Sequence, residues 1–396
     1  MYKLGCTVKN LDGVQQLIPL SVPEIRGNEW KYLKQCLDTN WISSAGGFVD
    51  TFEESVAKYV GSRYAVATNS GTSALHMALH AAQVEENDEV FVSTLSFIAP
   101  ANAIRYVGAW PIFIDSEPEY WQMDPSKLIE FIENNCSFES GKLYNKDSNR
   151  KISAIIPVHI LGHPCDMDPI MNIARTYNLK VIEDASQSLG ATYKSKPVGT
   201  IGDIGCFSFN GNKTITCGGG GMIVTNQKAS ASSIRHLSTQ AKSHPIEYTH
   251  DQIGYNYRLT NIQAAIGCAQ LEQIDDLLYA KRNIAKTYEN ALQNTHGLQL
   301  MRCAPWATHT YWLYTILVDP DVYRNSSREL LTVLASENIQ TRPLWQPIHK
   351  SKAHESSGVY ECPVADRLSS HALSLPSSSG LDPASQSKVI ESILTN

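Results

Sequence analysis

No two of the nine cysteines stand as Cys-x-x-Cys, and their odd number and scattered spacing give neither a disulfide framework nor a zinc site. They read as reduced thiols of a cytoplasmic protein. No run reaches the roughly 18 apolar residues of a membrane span, and the start, MYKLGCTVKNLDG, lacks the apolar core of a signal peptide. No block of like charge occurs, charged residues make up only 18%, and the net charge is −6. Nucleic acid and anionic membrane surfaces are therefore poor partners, and small-molecule chemistry is the better expectation. A fixed-period repeat is also missing.

What is present is a soluble composition, 42% hydrophobic over 396 residues, more than one core usually serves. A large domain over 1–248 and a smaller α+β domain over 249–396 are expected. One helix is read from Val22 to about Asp38, followed by a polar, mobile loop around Trp41, Ser43, Ser44 and Gly46-Gly47. From Arg63 the pattern alternates: strand YAVAT, turn NSGTS, helix ALHMALHAAQ, strand EVFVST, helix Pro100–Val107, strand PIFID, then AIIPVHI and KVIED around a helix near Asp168–Tyr177. This alternation implies an α/β fold with a mostly parallel sheet and a ligand crevice at the strands' carboxyl ends, where Thr94 to Phe97, His159, Asp184 and the first turn converge. The polar segment Cys136–Lys151 reads as an inserted hairpin or loop. MIVTN reads as a returning strand, Lys228–Ser238 as a helix, and 262–295 as one long helical stretch. Strands near Leu298–Arg302 and Tyr311–Val318, a helix over Ser326–Asn338 and a terminal helix after Asp382 complete the expectation.

Chemistry centres on GCFSFNGNKTITCGGGGMIVTN. Its lysine, Lys213, lies in apolar, glycine-rich surroundings, and Asp184 ends the apolar strand VIED. The Walker spacing fails because five residues separate Gly205 from Gly211 and Asn212 precedes Lys213; no Gly-x-Gly-x-x-Gly turn opens a helix either. A buried carboxylate needs a cation, which a protonated pyridine nitrogen supplies, and a desolvated lysine amine attacks an aldehyde. The turn at Gly71, Thr72 and Ser73, at a helix amino end, suits a phosphate. Ring, aldehyde and phosphate together describe pyridoxal 5′-phosphate, with Phe97 available to stack on the ring, Gln187 to meet its oxygen and Ser208 to share the phosphate. Each of these also has an ordinary structural reading as core, helix-end or backbone-bonded residue.

GTSAL (71–75), VIEDASQSLGA (181–191), FSFNGNKTITCGGGGM (207–222) and GYNYRLTNIQAAIG (254–267) resemble the four signatures of the DegT/DnrJ/EryC1/StrS sugar aminotransferases. The resemblance implies an aspartate aminotransferase-like fold of pyridoxal phosphate type I, with a large domain on a mixed seven-stranded sheet and a small carboxyl-terminal domain. It also implies a homodimer with shared active sites. Lys213 becomes the Schiff-base lysine and acid/base, and Asp184 the partner of the ring nitrogen. Gln187 contacts the ring hydroxyl, Gly71, Thr72, Ser73 and Ser208 surround the phosphate, Phe97 stacks, and Asn256 reaches the phosphate from the other subunit. Gly219 replaces the usual Glu of the glycine run and Leu189 a frequent His. Lys213, not histidine, favours transamination over dehydration.

Within the family, LSVPEIRGNEWKY, SFNGNKTIT and RPLWQPIH most resemble enzymes that aminate carbon four of UDP-linked 2-acetamido-4-keto-6-deoxy hexoses, using L-glutamate and passing through pyridoxamine 5′-phosphate, for cell-surface glycans of the bacillosamine or legionaminic type. His159, Arg258, His309 and His349 are candidate substrate contacts, and no metal is expected. The alternatives are a pyridoxal phosphate-binding scaffold without turnover, and a relative acting at carbon three or on a dTDP- or GDP-linked sugar.

Overall fold

The structure is a computed structural model and describes residues 17–396. Seven strands make the centre of its large sheet: β1 Tyr64–Thr68, β2 Glu89–Ser93, β3 Trp110–Ile114, β4 Lys151–Ile156, β5 Lys180–Asp184, β6 Ile204–Ser208 and β7 Gly221–Thr225. Their order is β1-β7-β6-β5-β4-β2-β3. Strand β7 runs antiparallel to both neighbours and every other pairing among the seven is parallel, so the sheet is mixed as expected. The strands are apolar almost throughout (the burial of β2 and β7 is complete), as befits a sheet covered by helices on both faces.

Three further strands extend the sheet to ten. The segment expected as an insertion is a hairpin, Cys136–Glu139 with Lys142–Asn145, whose second strand pairs with β4. At the far edge Gly358–Tyr360 adds parallel to β3. Asp115, at the end of β3, holds that return: its buried carboxylate accepts the amides of Val364 and Ala365 at the start of the helix Pro363–His371.

A second, antiparallel sheet of four strands runs Leu298–Leu300, Tyr314–Val318, Ala372–Leu375, Arg342–Pro343. Its core includes Ile316, Leu330, Leu334, Leu373 and Ile393. The change from one core to the other falls inside the helix Ile274–Leu292: Leu277 and Leu278 pack with Phe52 and Phe207 of the large layer, whereas Ile284 and Tyr288 pack with Ile316. This lies later in the chain than residue 249.

Three local expectations are corrected. The first helix starts at Glu29, not Val22, because Pro23 and Gly27 lie in the approach and Asn28 takes the cap position. The glycine pair Gly46-Gly47 opens a helix, Gly47–Val60, with Phe52, Val56 and Val60 buried at helical spacing. Its start is fixed from 213 residues away: Asn261 Oδ1 accepts the Phe48 amide and Nδ2 donates to the Trp41 carbonyl, against a Gly46 that leaves no room for a Cβ. The long stretch after 261 is two helices, Asn261–Leu271 and Ile274–Leu292, and a helix Pro125–Asn135 capped by Asp124 was not anticipated.

Gly205 in β6 tests how tightly the layer is closed. A Cβ there would stand 2.1 Å from the Gly199 carbonyl oxygen, a backbone atom that cannot swing aside. Gly205→Ala should cost about 3 kcal/mol of stability, the upper range for overpacking, measured as a shift of the urea unfolding midpoint; an unchanged midpoint contradicts the packing described.

Candidate active site

Strand ends assemble the site. The Val158 amide donates to Ser93 Oγ, joining the ends of β4 and β2, and the His159 amide donates to the Asp184 carbonyl, joining β4 to β5. Asp184 is in register with Cys206 of β6, two residues before Ser208 and seven before Lys213. The ends of β2, β4, β5 and β6 therefore stand side by side at one rim.

Two acids end β5, and strand alternation sends them apart. Glu183 is fully buried and accepts the amides of Gly199, Ile201 and Gly202 at 2.7 Å each. It also meets His159 Nε2 at 3.0 Å. The Cys165 amide donates to His159 Nδ1, so that nitrogen is an acceptor and the proton sits on Nε2, facing Glu183. Asp184 is 4% exposed and takes the Ser186 amide, yet no Lys, Arg or His forms an ion pair with it among the described residues. Burial raises its pKa, against the opposing pull of the Ser186 hydrogen bonds and the Lys213 charge.

Lys213 sits in the loop between β6 and β7. That loop is closed by Gly218 and Gly220 at positive φ, by Gln263 Nε2 on the Gly219 carbonyl and by Thr216 Oγ1 on the Phe209 carbonyl. The Lys213 amine makes no hydrogen bond or ion pair with the described residues; it lies 3.9 Å from the ring centre of Trp312. Burial lowers its pKa from 10.5 to about 8, with the Asp184 charge opposing the shift.

A cation without an acceptor and a carboxylate without a cation, at one rim, fit a ligand that carries both a carbonyl carbon and a protonated ring nitrogen. The rest of the cradle agrees. Gly71 is pressed so close to β6 that a Cβ would touch Ser208 at 2.8 Å, bringing the first turn of the helix Gly71–Ala81 against the Ser208 hydroxyl. First-turn amides of a helix lack acceptors within it, so those at Gly71 and Thr72 suit an anion. The Ser73 hydroxyl itself donates to Asn69 and is part of the cap. Gln187 Oε1 accepts the Leu161 amide, and its Nε2 makes no hydrogen bond with the described residues. Phe97 is 57% exposed and is not a core residue.

The candidate substrate contacts divide. His159 and His309 are buried, at 0% and 2% exposure, and already engaged within the protein, the first by Glu183, the second stacked on Tyr311 with its Nδ1 accepting the Tyr311 amide. His349 is half-buried between Thr94 Oγ1, at 2.7 Å, and Asp366. Arg258 and Asn256 are exposed, while Tyr255 and Tyr257 between and beside them meet His80 and His76 of their own chain. A cleft of about 720 Å³ between the helices Gly47–Val60 and Lys228–Ser238 contains none of these residues, and its buried charge Glu53 is paired with Arg235.

Against known proteins, the profile described as the DegT/DnrJ/EryC1/StrS aminotransferase family matches residues 23–394. The chain belongs to this aminotransferase family. It is 42% identical to the GDP-perosamine synthase of Escherichia coli O157:H7, covering 95% of this chain and 97% of that one. It is 39% identical to EpsN of Bacillus subtilis (strain 168), described as a putative pyridoxal phosphate-dependent aminotransferase, with 95% of each chain covered. Among solved structures, a DegT DnrJ EryC1 StrS aminotransferase from Brucella abortus superposes with a TM-score of 0.84 at 28% identity, over 92% of this chain and 94% of that one. The family's cofactor is pyridoxal 5′-phosphate, and the residues above fit it.

Sequence reasoning missed Glu183 and Trp312. The alternation of VIED could have revealed Glu183 as the acid of the opposite face; nothing in the sequence links Trp312 to a lysine 99 positions earlier.

The Lys213 amine titrates low because it is buried, which gives a measurable signature. In ligand-free protein its modification by an amine-directed reagent, mapped by mass spectrometry, should rise with a midpoint near pH 8; a midpoint near 10.5 would show an ordinary exposed lysine. The folded chain then binds this proton less tightly than the unfolded one, so Lys213 contributes a gain in stability as pH rises between those two values.

Proposed function

We propose that this enzyme moves an amino group from L-glutamate to the keto group of a hexose carried on a nucleoside diphosphate. The observation that carries the reading is the pair of unmatched charges, Lys213 and Asp184, at one rim of the sheet. A guanosine diphosphate carrier is the first choice, because the relative at 42% identity is a GDP-perosamine synthase. A UDP carrier with amination at carbon four, the reading suggested by RPLWQPIH, is the second; a relative 34% identical is named for a UDP-linked sugar aminated at carbon three.

Bound pyridoxal phosphate supplies an aldehyde for the lysine and a ring that withdraws electrons from the carbon being deprotonated. The protein's part follows from its residues. Lys213 Nζ, its pKa lowered to about 8 by burial, would anchor the aldehyde and, when free, would carry the proton of the donor's α-carbon. Asp184 would hold the proton on the ring nitrogen, a cation that would in turn keep its carboxylate charged. Gln187 Nε2 would be the donor for the ring oxygen, the first turn at Gly71, Thr72 and Ser73 with Ser208 would hold the phosphate, and Phe97 would lie against the ring. Arg258 offers an exposed cation to the substrate diphosphate, with His349 as a further polar contact.

A homodimer is part of this proposal. Asn256 projects from a stretch whose neighbours Ile246, Tyr248 and Ile253 are 77–88% exposed, a surface that a second copy would cover while Asn256 reaches its phosphate. A two-domain division and a cytoplasmic setting accompany it; the eight described cysteines are all free, and no described helix is long and apolar enough to cross a membrane.

Adding glutamate to the cofactor-loaded enzyme should replace the visible band of the lysine-bound cofactor by the ultraviolet band of its amine form. A band that persists favours a binding scaffold without turnover. Lys213→Ala should abolish turnover, and Asp184→Asn should lower kcat about a thousandfold, about 4 kcal/mol of barrier; near-normal rates would remove those roles. A panel of GDP-, UDP- and dTDP-linked keto sugars, with products read by NMR, decides the carrier.

A further inference from the structure

Trp312 is held by three different groups. Its indole Nε1–H donates to the Asn212 carbonyl at 2.7 Å, one residue before Lys213. Its own carbonyl accepts from the Lys281 amine at 3.1 Å, and that amine, 3% exposed, also donates to the Ser377 carbonyl at 2.7 Å. Its ring lies parallel to Trp345, 6.3 Å away. The side chain is 4% exposed, so it has little freedom to turn.

The ring so fixed presents its face to Lys213 Nζ at 3.9 Å, within the range where an indole attracts an ammonium. No carboxylate among the described residues forms an ion pair with it; Asp184 acts on Lys213 only through space. The amine of an anchoring lysine must leave its ligand and return to it in each cycle, and during the interval a long, flexible side chain loses its position unless something receives it.

We propose that Trp312 is a positioning residue that receives the protonated Lys213 amine when it is not bonded to a ligand carbonyl, holding it within reach of the site. The inference rests on the reading of Lys213 as the anchoring amine. Lys281, on the helix Ile274–Leu292, then carries the rigidity of the second core into the lysine loop: helix to Lys281, Lys281 to the Trp312 backbone, indole to Lys213.

Two measurements test this on the ligand-free protein. With lysines carrying a carbon-13 label at Cε, the Lys213 signal, assigned by its loss in Lys213→Ala, should lie upfield of every exposed lysine because of the indole ring current, and should return toward the ordinary position in Trp312→Leu. A Lys213 signal at the ordinary position in the wild-type chain overturns the proposal without any variant. Second, Trp312→Phe and Trp312→Leu both lose the Asn212 hydrogen bond and differ mainly in the aromatic face. Lys213 should therefore be modified faster in the Leu variant than in the Phe variant, by roughly three- to thirtyfold at neutral pH, the range that cation–π attraction implies. Equal rates would overturn it. In the loaded enzyme the Leu variant should lose kcat with KM little changed and the Phe variant should recover most of the loss. Failure of the underlying reading shows differently: borohydride-reducible attachment of pyridoxal phosphate would persist in Lys213→Ala, while the spectral and modification results would stand.

Discussion

The buried carboxylate of Glu183 organises the floor of the site. A charge with no exposure is tolerable only if nearly every lone pair is met, and here three backbone amides from 199–202 and His159 Nε2 meet it. Each partner is thereby fixed. The turn that delivers the chain into β6 is closed around Glu183, and His159 is held in one tautomer with Nδ1 on the Cys165 amide. Because Glu183 and Asp184 are adjacent in one strand, fixing the first aims the second: Asp184 must point to the other face, where it forms no ion pair among the described residues.

The second constraint comes from the helix Asn261–Leu271. Its side chains close two distant segments at once, Asn261 starting the helix Gly47–Val60 and Gln263 holding the Gly219 carbonyl in the lysine loop. Gly219 makes that contact with its backbone oxygen and has no side chain to offer. Lys213 thus hangs from a loop tied to the large layer by Gln263 and to the second core by Trp312. Both attachments are polar groups on backbone carbonyls, so the loop is held by hydrogen bonds while the amine itself makes none with the described residues and meets only the face of the Trp312 ring.

The Asp184 carboxylate ends a strand, Lys213 hangs from the loop between β6 and β7, and the amino end of the helix Gly71–Ala81 is pressed against β6. Arg258 and Phe97 lie on exposed loops and His349 in a single 3-10 turn, where residues can change without disturbing the strand register.

Six of the seven central strands could be read from their own residues, because strands buried on both faces write largely apolar runs such as EVFVS; β6, whose run Ile204–Ser208 is interrupted by Gly205, was not read as one. Lys213 and Asp184 were legible for the same reason: a charge at the end of an apolar strand, or inside a glycine loop, is costly enough to stand out. The helix after Gly46 was hidden, since its starting contact is supplied by Asn261, and so was the burial of His159 and His309, whose residue type is equally at home in a pocket and in a packed layer. Trp312 and Lys281 acquire their roles only by meeting across segments far apart in the chain. Local sequence specifies what each residue prefers within a few neighbours; which amine faces which ring is decided when two separately built cores close on the same loop.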